Sequence, residues 1–493
     1  MKSNKTPVTR RAFIQNLGIT TAGFTMAPLL VSQTGLAESG ENHTLSVDGI
    51  VDNKSKTSVF YDESVDLKEH IGVIKKTIYG DYKGMYHKPN EILPYPFITP
   101  GSVYSHELWD WDSWLSSIAL RQILLDVGTN EDRQEALPYE RGCILDFLKY
   151  GGQDGWLPIV VWHNANPRDN LPDDIHKTNM HKPVLAQHAA FIVKSEDGDA
   201  AWLRDEFWKM EAFIENYKNY SKNKATGLFF FQDDVAIGGD NDPATFYRPP
   251  RSSGAIFLNC MMLKELEAMA YLSDCLKLDK AAEKYKHDVM ALKSSIREHC
   301  WDERDGFYYS VDLNLRPIDN KPGKYLGITF VLHSGHPRDY NCLIQRLGVW
   351  SGFLPMWCGI ATQQEADRMV KEHFHNKGTF NAPFGIRSLS KMEKMYNIYP
   401  SSNPSDWQGP IWIIVNYLVF RGLLKYGYHK EAMEIASKTV NLLGRDAAKS
   451  GAFHEYYDPE TGNPIINKGF QNWNYLVMNM IAWLEERPVV EEF

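Results

Sequence analysis

Two carboxylates of this 493-residue chain stand out by their surroundings. Asp240 lies in "GGDNDPATFYRPP" (238–250), where two glycines bend the backbone, Pro243 stiffens it and Phe246 and Tyr247 follow. Glu455 lies in "GAFHEYYDPETG" (451–462), directly before two tyrosines and a turn. Such a pair suits the cleavage of a glycosidic bond with inversion. A protonated carboxyl gives its proton to the leaving oxygen, while an ionised carboxylate about 6.5–9.5 Å away deprotonates a water on the opposite ring face. Keeping a proton near neutrality needs a partly desolvated aromatic setting, which Phe246 and Tyr247 offer to Asp240. Plainer readings stay open on spacing alone: Asp240 and Asp242 can cap a turn, and Glu455 can be a surface acid.

Three further stretches join acids to rings: "ELWDWDSW" (107–114), "GGQDGWLP" (151–158) and "PSDWQGPIW" (404–412). Acids between tryptophans must be hydrogen-bonded or solvated. A carboxylate beside an indole can grip sugar hydroxyls while the ring covers the sugar's C–H face. The three stretches together point to a small-carbohydrate site, with 14 tryptophans and 25 tyrosines available to build it and the core.

The elements that must carry these loops read as helices. Residues 254–274 set Leu258, Met262 and Leu266 on one face with Met269 beside them, the spacing of a buried helix. Residues 411–424, "IWIIVNYLVFRGLL", are apolar nearly all round, and at that length they are too short to span a bilayer. Residues 280–298 are amphipathic and read as an outer helix, and residues 430–441 are helix-like ahead of Glu455. Buried helices alternating with half-exposed ones predict two concentric layers. "NKATGLFFF" (223–231), "DERDGFYYS" (302–310) and "DPETGNPII" (458–466) echo one another, each a glycine turn and a short strand-like piece behind a helix. No Pro-, Gly- or Ser-rich linker divides residues 66–487, so one domain over 66–493 is expected.

The N-terminus reads differently. Thr9-Arg10-Arg11-Ala12-Phe13-Ile14 is a twin-arginine pattern, residues 17–31 are mildly apolar, and Gly35-Leu36-Ala37 offers small residues for cleavage. Residues 1–37 are expected to be an export signal for the periplasm, and 38–65 a leader segment. Residues 1–37 hold Lys2, Lys5, Arg10 and Arg11 and no acid, so their removal takes the net charge from −9 to −13. That balance disfavours nucleic acid and anionic membranes as partners and suits a neutral or weakly charged substrate. Stable membrane insertion is not expected, and the oligomeric state stays open. The six cysteines show no CxxC and the 16 histidines no HExxH, so a zinc site is not expected and no metal ligand is assigned. Buried free thiols are the favoured reading, with room for one bridge.

Taken in order, "WDWDSW", "GGDNDP", "WQGPIWIIVNYLVFRGLL", "HEYYDPETG" and "GFQNWNYLVMNMIAWL" resemble glycoside hydrolase family 63. That family includes processing α-glucosidase, bacterial α-glucosidases and the mannosylglycerate and glucosylglycerate hydrolases, and it is similar to trehalases. The resemblance runs from about residue 100 to 484. It implies an all-α, (α/α)6 toroid with short β-hairpins in its loops, and an inverting exo-α-glycosidase without an organic or redox cofactor. A structural calcium ion stays open, although nothing indicates one. By resemblance Asp240 is the general acid and Glu455 the general base. Trp111 and Asp112 bind the terminal sugar, with Trp109 and Trp156 in the neighbouring segments. Asn241, Trp407, Gln408, Gly409, Trp412, Gln471 and Trp473 complete the implied site.

There are departures from the pattern. The Gln/Lys-Pro-Pro element appears as His181-Lys182-Pro183, with Gln187 following, and the trehalase-like Pro100-Gly101 continues as Ser102-Val103. After Asn241 the usual Ser-Pro is Asp242-Pro243; the extra acid could perturb Asp240 or bind a cation. An α-glucosidase acting on a small oligosaccharide or glucoside is the favoured reading. A trehalase, a uronyl hydrolase or lyase on the same scaffold, and a sugar-binding protein without catalysis are the alternatives.

Overall fold

A computed structural model describes residues 63–493 except 170, 172–173, 316–321, 331–337 and 400–403. The described residues belong to one compact unit, Tyr61–Phe493. The twin-arginine signal and nearly all of the leader lie outside the described residues.

Helices alternate in burial along the chain. The exposed-faced set comprises α1 (Glu63–Asp81), α3 (Asn130–Lys149), α5 (Phe207–Tyr220), α7 (Asp279–Cys300), α9 (Gln363–Arg368) and α11 (His429–Ser450). Between them come α2 (Asp110–Val127), α4 (Leu185–Ser195), α6 (Ile256–Cys275), α8 (Leu354–Trp357), α10 (Ile413–Lys425) and α12 (Val477–Leu484), whose side chains are mostly buried. Each inner helix packs on the next, and α12 with the 3-10 turn Asn472–Leu476 returns to α2, closing the inner ring. In the outer ring α11 packs on α1. The fold is an (α/α)6 toroid.

Sequence chemistry sets the details. α4 is apolar from Leu185 to Val193 except for Gln187 and His188, and every one of those residues is buried. Thr129 and Thr362 cap α3 and α9 with reciprocal boxes to Asp132 and Glu365. Where α11 crosses α1, a Cβ on Gly444 would lie 2.3 Å from the His70 Cβ, so only glycine lets those two helices meet. The helices expected over 254–274, 280–298, 411–424 and 430–441 are α6, α7, α10 and the first half of α11.

The three echoed turns share one construction. Gly227, Gly306 and Gly462 each adopt positive φ and donate their N–H to the carbonyl four residues back, at Asn223, Asp302 and Asp458. Each closes a small antiparallel hairpin: Lys222 with Phe229, Trp301 with Tyr308, and Tyr457 with Pro464. They follow α5, α7 and α11, so the repeat is an outer-helix exit that returns the chain to the inner ring. All six cysteines are free thiols, four of them buried. Among the described residues no helix is long and apolar enough to cross a membrane.

Candidate active site

The first turn of α2 builds one wall. Asp110 is fully buried and accepts from the Lys182 backbone N–H at 2.8 Å and from its Nζ at 2.8 and 3.0 Å. The Lys182 ammonium also lies 5.3 Å from the Trp111 ring centroid. Asp112, two residues on, accepts from the Asn472 amide. Burial holds its carboxyl well above the usual range, the Asp110 charge adds to this, and Lys182 opposes it. The buried pair is therefore expected to be intolerant of one-sided change. Lys182→Met should cost about 3–5 kcal/mol in urea unfolding, because a buried carboxylate loses its counter-ion, and adding Asp110→Asn should recover most of that loss.

The loop bearing Asp240 lies across Trp111. Gly238 has φ +94°, and a Cβ there would sit 2.8 Å from Lys182 Cε and 3.1 Å from the Trp111 ring; the backbone approaches as closely as glycine permits. Gly239 faces Trp407. Asn241 then fastens this loop to 404–409. Its Nδ2 donates to Asp406 Oδ1 at 3.0 Å, its Oδ1 accepts from the Trp407 N–H at 2.6 Å, and its carbonyl accepts from Gln408 Nε2 at 3.1 Å. Asp242 accepts from the Ala244 N–H at 2.8 Å, which makes it a turn cap. Burial raises Asp242 and Asp406 to about 6. Among the described residues no group of three or more His, Cys, Asp or Glu side chains is arranged to hold a metal ion.

The aromatic setting differs from the one expected. Tyr247 is 82% exposed, its ring tilted 42° against that of Phe246 at 3.9 Å, so Tyr247 does not desolvate the site. Tryptophans line the loop that bears Asp240. Trp111 lies 5.7 Å from Trp407 and 5.5 Å from Trp473, and Trp407 stacks on Trp412 at 4.1 Å. Trp350 lies 6.2 Å behind Trp407, and Tyr456 closes on Trp412 at 4.5 Å. Rings drawn from α2, the 404–412 loop and the chain around 456 and 473 thus make one continuous wall.

Glu455 enters from the other side. α11 ends at Gly451 in the left-handed region, and the following segment places the Glu455 side chain inside, 5% exposed. Asn467 Nδ2 donates to Glu455 Oε2, and the Tyr104 hydroxyl lies 3.5 Å from both carboxylate oxygens. Burial pushes Glu455 up to about 7; the Asn467 and Tyr104 contacts pull it down, and the negative charge of Asp240 raises it. The Tyr104 hydroxyl responds to the same group, since burial and then the charges of Glu455, Asp112 and Asp240 keep its proton on. Asp240, Glu455, Asp112 and Tyr104 therefore occupy one electrostatic neighbourhood.

The other residues singled out in the sequence are placed as follows. Trp109 meets Tyr104 edge-on at 5.8 Å and donates its indole N–H to Glu107. Trp412 donates its own to the Asp406 carbonyl, and the Gly409 N–H bonds Ser388. Trp156 is buried beneath Arg168, which also pairs with Asp154. His181 lies between Phe147 and Phe213, is lowered to about 4 by burial, and bonds the Lys182 carbonyl. Gln187 donates to the Pro183 and Met261 carbonyls, and Gln471 donates to Asp81. These last contacts tie His181, Gln187 and Gln471 to protein groups rather than to the tryptophan wall. Sequence reasoning did not single out Tyr104, Asn467, Asn472, Asp110 or Trp350. Asn467 had one legible signal, since it and Glu455 flank the same "DPETG" turn.

Residues 104–473 match the family model described as the mannosylglycerate hydrolase MGH1-like glycoside hydrolase domain. The chain belongs to this family. Among MGH1-like relatives, a probable mannosyl-oligosaccharide glucosidase of Schizosaccharomyces pombe is 24% identical over 362 residues. That match covers 71% of this chain and 40% of the relative, so the chain spans under half of that relative's length. A glucosylglycerate hydrolase of Mycolicibacterium hassiacum is 23% identical over 455 residues, 78% of this chain and 92% of that protein. The GH63 mannosylglycerate hydrolase of Thermus thermophilus, solved with glucose, superposes with a TM-score of 0.55 at 19% identity. The superposition covers 85% of this chain and 99% of that one. At that identity the likeness is one of fold. The MGH1-like match begins at Tyr104 and ends at Trp473, so it contains both carboxylates and the tryptophan wall.

Proposed function

We propose that this chain is an inverting, exo-acting α-glycosidase, an α-glucosidase for a small oligosaccharide or glucoside. The observation that carries the reading is the pair of acids, Asp240 and Glu455, in one electrostatic neighbourhood beside one tryptophan wall. Glu455 suits the base. An amide N–H can only donate, so Asn467 favours the ionised carboxylate, and a value near 7 matches a base poised for neutral pH. Glu455 takes a proton from water as that water attacks the anomeric carbon. Asp240, on the opposite face, gives its proton to the glycosidic oxygen, the C–O bond breaks, and the anomeric configuration inverts. Asp112 hydrogen-bonds the hydroxyls of the terminal sugar, and Trp111 covers its apolar face.

The experiment is a panel of p-nitrophenyl glycosides, kojibiose, nigerose, trehalose, glucosylglycerate and mannosylglycerate. Glucose release from at least one α-glucoside is expected. Binding without any cleavage would leave a sugar-binding protein, and a rise in ultraviolet absorbance on an added oligouronide would indicate a lyase. The relatives divide between oligosaccharide glucosidase and glycosylglycerate hydrolase by name, so the panel carries both kinds of leaving group. In this reading the enzyme works in the periplasm, reached through the Arg10-Arg11 signal. Replacing both by lysine should leave the uncleaved precursor in the cytosolic fraction; normal export of that variant would remove this part of the reading.

A further inference from the structure

The third of the echoed hairpins carries a pairing that the other two do not. Its arms run in register from Glu455 N–H to the Ile466 carbonyl at 3.1 Å, through Ile465 N–H to the Tyr456 carbonyl at 3.1 Å, to Asp458 N–H and the Asn463 carbonyl at 2.9 Å. The register sets Glu455 at the end of one arm and Asn467 just beyond the end of the other. Asn467 has φ +52°. Asparagine tolerates this left-handed conformation better than most residues, and here it turns the amide back onto Glu455 Oε2. At the equivalent positions of the other two hairpins stand Tyr220 with Gln232 and His299 with Val311; there Gln232 Nε2 donates to the Tyr220 carbonyl, and neither pair includes a carboxylate.

We propose that Asn467 is a positioning residue for the reaction: it holds the Glu455 carboxylate ionised and aimed, acting through that carboxylate rather than on the sugar. The inference rests on Glu455 being the base. With Asn467 on Oε2 and only the long Tyr104 contact at 3.5 Å on Oε1, Oε1 can accept from the attacking water. The charged and titratable groups facing Glu455 are Asp240 and Asp112, both acids, and the neutral hydroxyl of Tyr104. On the same segment, the neighbouring His454 is turned to Asp446, 2.9 Å away. Two contacts oppose protonation of Glu455 among the described residues, and the Tyr104 contact is the long one at 3.5 Å. Asn467 is thus the main counterweight to burial.

The test uses Asn467→Gly, which keeps the left-handed turn, and Asn467→Asp, which keeps the shape but sets a carboxylate against Glu455. Two readouts are taken from pH 4.5 to 9. One is kcat/KM on the best substrate of the panel. The other is the carboxyl 13C shift of Glu455 in glutamate-labelled protein, assigned by its loss in Glu455→Gln. Both variants should move the acidic limb and the Glu455 titration upward by about one pH unit. The rate should then fall about tenfold at pH 5 and converge on the parent at pH 9. An equal fall at every pH with an unmoved titration would make Asn467 merely structural and overturn the proposal. The titration needs no turnover, so it decides the role of Asn467 even if Glu455→Gln stays active and the base assignment itself fails.

Discussion

Replacing Glu455 by glutamine is expected to lower kcat by about 10²–10⁴-fold, because the attacking water loses its proton acceptor. Glutamine keeps the volume and can still accept from Asn467, so the tryptophan wall should stand. Stability should not suffer, and its sign can be worked out. A carboxyl raised to about 7 in the folded protein binds its proton more tightly folded than unfolded. Its contribution is complete below the unfolded value near 4.5 and is lost as pH rises through about 7. Glutamine carries no such loss, so the variant should match the parent in acid and melt at the same or higher temperature at pH 8. A second arm uses azide, an anion that needs no deprotonation before it attacks. With Glu455→Ala, which leaves room for it, azide should restore turnover and give the β-glycosyl azide. Unchanged kcat in Glu455→Gln would remove this residue from the mechanism.

Asp240→Asn should produce a loss that depends on the leaving group. Sugar and alkyl leaving groups need a proton as the bond breaks, and their kcat should fall about 10²–10⁴-fold. Fluoride and p-nitrophenolate depart without one, so α-glucosyl fluoride should be turned over at near-parent rates. The variant carries a second signature. In the parent Asp240 must keep its proton for sugar leaving groups, so the alkaline limb of kcat/KM reports it, and the variant should lose that limb. A uniform loss across all leaving groups, with the alkaline limb retained, would argue against Asp240 as the acid.

Long helices were legible because their burial repeats every turn. α6, α7 and α10 begin and end within a few residues of the positions that periodicity assigns. α8 and the 3-10 turn Trp350–Phe353 before it are too short for any period to register. α9 passes directly into a π-helix over Met369–Phe374, which breaks the 3.6-residue rhythm. Asp240 and Glu455 were legible because acids among glycines and aromatics are unusual company. Tyr104 and Asn472 were not, since each bonds a partner more than three hundred positions away, and a neutral donor leaves no mark in composition or spacing. Lys182 stood out as a departure from the family pattern, yet its partner Asp110 emerges only when α2 and the 181–184 turn are packed together. The expected shelter by Tyr247 failed for a related reason. Nearness in sequence placed it by Asp240, but the turn capped by Asp242 sends Tyr247 outward.

The most direct measurement is the anomeric configuration of freshly released glucose, followed by proton NMR in the first minutes before mutarotation, on an α-glucoside that the panel shows to be cleaved. Water activated by Glu455, opposite Asp240, yields the β-anomer first, with the α-anomer growing in later. An α-anomer as the first product would mean retention through an enzyme-bound intermediate and would contradict the assignment of both carboxylates.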